Sequence, residues 1–226
     1  GITSVSLLLA FFRDLGFSAS YMLPSRFKDG YGLNPVRVEE IANEGYQLLI
    51  TVDCGSASRK EVQYLAERNV DVIVTDHHRV QGDIPEALAF INPDGWEGGN
   101  EWEVLAGVGV AYLLVMAVHI LLKSDERFAE RLRPLKSYLD IVTLGTVADM
   151  VPLRGPNRAL VVHGLQYMAG SQTRPGVVAL REVSGLAGKP VDTTSIAFYM
   201  APRINAAGRL GNAEIGVELL LSPSLH

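Results

Sequence analysis

Only one cysteine, Cys54, occurs in 226 residues. No intrachain disulfide can form and no zinc site can be built from thiolates; the scarcity fits a reducing compartment, so a cytoplasmic location is expected. An excess of either charge is missing too. Lys+Arg 20 against Asp+Glu 25 gives a formal charge of −5. That is a poor balance for a general nucleic-acid coat, yet it suits an enzyme that reaches phosphates through divalent cations. Repeats and low-complexity linkers are absent, and 48% hydrophobic with 20% charged residues describes a globular chain with a real core. The opening GITSVSLLLAFF has no basic n-region, which argues against a signal peptide. The stretch 104–122 contains no Asp, Glu, Lys or Arg and approaches bilayer-spanning length. Its flanks show no positive-inside bias, so a buried helix is expected and no membrane partner.

Several motifs are missing as well. GVG at 107–109 follows no strand and lacks a third glycine, so it is not a dinucleotide fingerprint; there is no Walker A loop and no GxSxG elbow. Cys54 sits beside Asp53, and a neighbouring carboxylate raises a thiol pKa, so packing is the expected role. His119 and His163 fall inside helical patterns.

What is present is an alternation of element types. Helix is expected over 2–15, a short strand over 19–23, helix over 34–45 with Asn34 as N-cap and Pro35 in its first turn, and strand over 46–53. Helix 58–69, strand 70–76 and strand 88–92 follow. Strands separated by helices of about a dozen residues imply βαβ units, hence an α/β fold with a mainly parallel sheet flanked by helices. From 104 the pattern is helical, over 104–122, about 126–148, 157–170, 174–184, 193–206 and from about 212. The loop DGWEGGNEWE, 94–103, carries two tryptophans, read as a plug on the domain or a base-stacking surface.

In open parallel sheets ligands bind beyond the carboxyl ends of the strands. Two strands here end in acid: ITVD at Asp53, and VIVTD at Asp76 followed by His77 and His78. A lone Asp after a strand is often a helix N-cap. Three adjacent ionisable residues are poor turn chemistry, and each loses solvation on burial; a divalent cation would turn those losses into coordination. Asp and His donors without thiolate suit manganese, magnesium or zinc. Asp149, in the apolar stretch TLGTVADMVPL, is a third acid with no basic neighbour before Arg154. Basic residues suited to a polyanion occur as Arg203 and Arg209 around Asn205 in PRINAAGRLG, and as Arg26 and Lys28 in LPSRFKDGYGL. Together these describe a phosphate-ester site.

With AspHisHis at 76–78, ITVDCG upstream and GTVADMVPL downstream, the chain resembles the DHH phosphoesterase superfamily. SRFKDGYGLN, INPDGWEG, LAGVGVAY and PRINAAGRLG resemble its branch of single-strand-specific DNA exonucleases. The resemblance covers nearly the whole chain. It implies a two-metal (Mn2+ or Mg2+) 5′→3′ exonuclease that releases 5′-mononucleotides from single-stranded DNA in repair and recombination, with single-strand-binding protein and a helicase as working partners. It implies that Asp53, His77 and Asp149 bind metal, that Asp76 orients His77, and that His78 meets the scissile phosphate or a metal-bound water. Arg203, Asn205, Arg209 and Arg26 would bind substrate. Family members carry Asp-x-Asp-Gly on their first strand, whereas this sequence opens at the glycine. The resemblance therefore implies a catalytic domain over 1–190 without that strand, whose activity alone is in question. It also implies an interdomain helical region over 191–226, leading to a second domain not in this sequence. A phosphodiesterase of short oligonucleotides or cyclic dinucleotides, and a non-catalytic replication-complex subunit, are the competing readings.

Overall fold

The computed structural model describes residues 1–23, 32–95, 101–209 and 213–224. The chain opens with α1 (Ile2–Leu15), an apolar helix closed by Gly16 at φ 85, where a left-handed residue lets the backbone N–H groups return to the last turn. In α2 (Pro35–Asn43) the Asn34 side chain accepts from Val36 N, as the sequence suggests. The expected strand over 19–23 does not form: residues 17–22 are all exposed and in no regular element. A strand needs a neighbour, and the described sheet offers 19–23 none.

That sheet has three parallel strands in the order β1 (Leu48–Val52), β2 (Asp71–Thr75), β3 (Ala89–Ile91). Crossover α3 (Arg59–Ala66) joins the first two. Side chains alternate between the faces of a strand. Leu49, Val72, Val74 and Phe90 pack against α2 and α3 through Val38, Ile41, Val62 and Leu65. Ile50 and Val52 join the core of α1, α4 (Gly107–Leu122) and α6 (Leu139–Ala148) on the other face. The helical run expected over 126–148 is broken: α5 (Glu126–Ala129) is a single turn, and a 3₁₀ turn over Leu135–Tyr138 precedes α6. Pro134 explains the break, since it cannot donate in a helix and its ring crowds the preceding turn.

The rest is helical. The elements are α7 (Gly155–Met168), α8 (Pro175–Val183), the turn α9 (Thr193–Ser195), a π-helical turn over Ile196–Met200, α10 (Ala201–Arg209) and α11 (Ala213–Leu221). Leu144, Val161, Leu180, Ile196, Met200, Ile204 and Leu220 share one apolar cluster, so packing is continuous across residue 190. Among the described residues no helix is long and apolar enough to cross a membrane.

Candidate metal centre

β1 and β2 pair in parallel with Val52 opposite Thr75, so the residues just past them, Asp53 and Asp76, arrive at one rim. Asp53 N donates to Thr75 O at 2.9 Å and Asp76 N to Ile91 O at 3.1 Å, which extends the ladder into the site. Asp53 has φ 60, a left-handed conformation that costs an L-residue roughly 1–2 kcal/mol. It is no helix cap, because the residue at the start of α3 is Ser58. Its carboxylate lies against the first turn of α4, where a Cβ on Gly107 would come within 2.3 Å of Asp53 Oδ1. It also pairs with the Gly1 ammonium.

His77 is half-buried between acids. Its Nε2 lies 3.1 Å from Asp53 Oδ1 and 3.4 Å from Asp149 Oδ2. Its Nδ1 lies 3.0 Å from the Leu105 carbonyl oxygen. A carbonyl only accepts, so Nδ1 carries a proton, and a neutral ring then turns the Nε2 lone pair toward two carboxylates. That arrangement is repulsive unless a proton or a cation stands there, and an Nδ1–H held by a carbonyl is the usual support of an Nε2 metal ligand. Asp149 is brought in from the helical half as the residue just past α6, and the next residue, Met150, has φ 58.

Asp76 is buried and serves the second histidine. Its Oδ1 accepts from the backbone N–H groups of His77 and His78, at 2.8 and 3.2 Å, and from His78 Nδ1 at 2.7 Å, while Oδ2 accepts from Ser56 N at 3.0 Å. Buried Asn92 completes the support, donating to Ser56 Oγ and to the His78 carbonyl, both at 2.8 Å. Asp76, expected to orient His77, bonds to its backbone N–H, while the ring of His77 is held by Leu105 and Asp76 holds the ring of His78.

The electrostatics follow from these contacts. Burial would raise the Asp53 pKa, but its contacts, the hydrogen bond with His77 foremost, outweigh it and hold the carboxyl well below the usual range. Asp76 is also lowered, because its hydrogen bonds from His78 and Ser56 outweigh burial. Burial would lower His77, but Asp53, Asp149 and Asp76 reverse this and raise it. Asp53, His77 and His78 each offer a ligand atom within 4.8 Å of the others, with Asp149 facing His77. Carboxylate and imidazole donors without thiolate fit a divalent cation of the manganese, magnesium or zinc type.

Arg203 and Asn205 are exposed on α10, and Arg203 Nη1 donates to Tyr199 O at 2.6 Å. Arg26 and Lys28, the Arg209 side chain and Trp96 lie outside the described residues. Trp102 is 37% exposed. Cys54 is pushed up to about 11 by burial and by Asp76 and Asp53, unfit for a nucleophile. His119 meets the Arg133 carbonyl at 3.0 Å. Sequence reasoning missed Ser56, Asn92, the Leu105 carbonyl and Gly107. The last had a signal: a glycine opening an apolar helix, easily dismissed as a failed nucleotide motif, marks a close approach.

A parallel sheet with AspHisHis at one strand end, an acid at the next and a third acid from a neighbouring helix defines a class. The profile of the DHH family, N-terminal domain, matches residues 1–146, and the chain belongs to the DHH family. Among curated proteins it is similar to the single-stranded-DNA-specific exonuclease RecJ of Escherichia coli strain K12, 40% identical over 229 residues, covering 100% of this chain and 40% of that protein. It is likewise similar to RecJ of Thermus thermophilus, 40% identical over 225 residues, covering 98% of this chain and 31% of that protein. The chain thus spans 31% to 40% of the length of these two relatives. A crystal structure of exonuclease RecJ bound to manganese superposes with a TM-score of 0.87 at 37% identity, covering all of this chain and 54% of that one. The Thermus thermophilus RecJ has been solved with Mn2+ and with Mg2+.

Proposed function

We propose that this chain is the catalytic part of a manganese- or magnesium-dependent 5′→3′ exonuclease that hydrolyses single-stranded DNA to 5′-mononucleotides in the cytoplasm, in repair and recombination. The observation that carries the reading is the His77 ring, fixed through Leu105 so that Nε2 faces Asp53 and Asp149. Membership of the DHH family and the metals held by the RecJ structures support it. On this reading residues 1–190 form the catalytic domain and 191–226 lead to a further domain, with single-strand-binding protein and a helicase as partners.

Asp53, His77 and Asp149 would hold metal. When bound, such ions supply Lewis-acid activation of the phosphodiester and of the attacking water. The protein's part is placement. The sheet and α4 fix Asp53, Leu105 fixes the tautomer of His77, and Asp76 holds His78 with Nδ1 toward its carboxylate. With Nδ1–H donated to Asp76, His78 keeps Nε2 as an acceptor, and its side chain is 44% exposed, so a substrate phosphate or water can reach it. Arg203 and Asn205, exposed on α10, and Arg26 and Arg209 would bind the DNA backbone.

The test is manganese-dependent degradation of 5′-labelled single-stranded DNA, duplex DNA and a dinucleotide. It is run on this chain and on the Escherichia coli relative with this chain in place of its own segment. Mononucleotide release from the single strand alone, lost on His77→Ala, is expected. Cleavage confined to the dinucleotide would transfer the site to short oligonucleotides, and a folded, metal-loaded chimera that cuts nothing would make the chain a scaffold.

A further inference from the structure

The metal centre draws on two segments far apart in sequence, and the side-chain amide of Asn157 bonds to both. Asn157, in the first turn of α7, is fully buried. Its Nδ2 donates to the Val104 carbonyl and, at 3.0 Å, to the Pro152 carbonyl. Val104 precedes Leu105, whose carbonyl holds His77, and Gly107, which meets Asp53, follows closely. Pro152 lies three residues past Asp149, beyond left-handed Met150. Behind the amide α7 is fixed on α6, since a Cβ on Gly164 would strike Thr143 Oγ1 at 1.6 Å. The Oδ1 of Asn157 is buried with no hydrogen-bond partner among the described residues. A side chain that leaves its own oxygen unpaired is a poor space filler, so the two bonds it makes account for its presence better than packing does.

We propose that Asn157 is a positioning residue: by tying Val104 to Pro152 it sets the distance between the Asp53–His77 half of the site and Asp149. The inference rests on the metal-site reading above, and precision of this kind is what supporting groups contribute to metal affinity. Asn157→Asp keeps the shape and removes both donors; Asn157→Leu keeps the branched four-atom side chain and removes every polar atom. Val161→Ala, in the same helix and equally buried, is the control that loosens α7 without touching either carbonyl.

Two readouts are taken on the folded chain: manganese affinity by calorimetry, and the tautomer of the His77 ring by ¹⁵N NMR in metal-free protein at alkaline pH. Both Asn157 variants are expected to weaken manganese binding roughly 10–100-fold and to mix the His77 tautomers. Val161→Ala should lower the melting temperature but leave both readouts in place. Unchanged affinity in the Asn157 variants, or an equal loss in Val161→Ala at matched melting temperature, overturns the proposal. If the unsubstituted chain binds no manganese, the metal reading falls, and the ring alone decides: mixed tautomers in the variants sustain the role of Asn157, and an unchanged ring ends it.

Discussion

Gly107 and Asp53 touch where the first turn of α4 meets the end of β1, with room for no side chain between them: a Cβ would sit 2.3 Å from Oδ1 and 2.8 Å from Cγ of the carboxylate. Gly107→Ala should therefore move Asp53 or push α4 away from the sheet. Overpacking of this kind costs about 1–3 kcal/mol. The expected result is a modest drop in thermal stability with a much larger drop in manganese affinity, because Asp53 is held by the sheet ladder behind it and its side chain is the softer part. Calorimetry beside thermal unfolding checks this; full affinity in the folded variant would show that the contact does not position Asp53.

His77→Ala removes a ring that contacts both Asp53 and Asp149. Manganese-dependent cleavage should vanish while circular dichroism and cooperative unfolding persist, since the ring lies at the rim and outside the apolar clusters. Cleavage at the parent rate by a normally folded His77→Ala chimera would remove His77 from the ligand set.

Metal binding should also release protons, with a sign the geometry fixes. Asp53, Asp149 and Asp76 outweigh burial and raise the pKa of His77, so Nε2 keeps a proton to higher pH than a free imidazole does. A cation must displace that proton from Nε2. Manganese affinity should rise with pH through the raised pKa and then level off. Proton release per ion should approach one on the acid side and fall toward zero on the alkaline side. Calorimetry in buffers of different ionisation enthalpy, from about pH 6 to about pH 9, measures it. Release that ignores pH across that range would place the proton, and the ligand, elsewhere.

The acids at the strand ends were legible in the sequence because a buried β-branched run that stops on AspHisHis has little other purpose. The helices α1, α2 and α4 were legible from Gly16, Asn34 and the apolar stretch over 104–122. Three things were not. The strand expected over 19–23 depends on a neighbour that the local pattern cannot report. The break before α6 follows from Pro134, whose signal was overridden by apolar residues on either side. The support of His77 is a backbone carbonyl, and every residue has one, so Leu105 leaves no mark in the sequence. Asn157 looks like an ordinary first-turn polar residue until its partners, Val104 and Pro152, are seen to lead to different halves of the site.

Away from the metal centre, the helical half hangs on a buried ion pair. Asp140 is fully buried; it accepts from Arg174 N at 3.0 Å, Arg174 Nε at 3.1 Å and Ile141 N at 2.8 Å, while Arg174 Nη2 donates to Ser137 O at 2.8 Å. Burial raises the pKa of Asp140, and Arg174 only partly offsets it. A carboxyl whose pKa is raised by folding ionises first in the unfolded chain, so this group contributes less stability as pH rises past its unfolded value near 3.8. Arg174→Met leaves the carboxylate without its cation and should cost about 3–5 kcal/mol at neutral pH. Asp140→Asn should cost less, because Arg174 keeps Ser137 O and some solvent. The double variant should then recover part of the Arg174→Met loss. The deficit of Arg174→Met should also shrink as pH falls and Asp140 takes up a proton. Urea unfolding of the three variants at neutral and mildly acidic pH measures both effects, and additive losses that do not change with pH would show that the pair is not coupled.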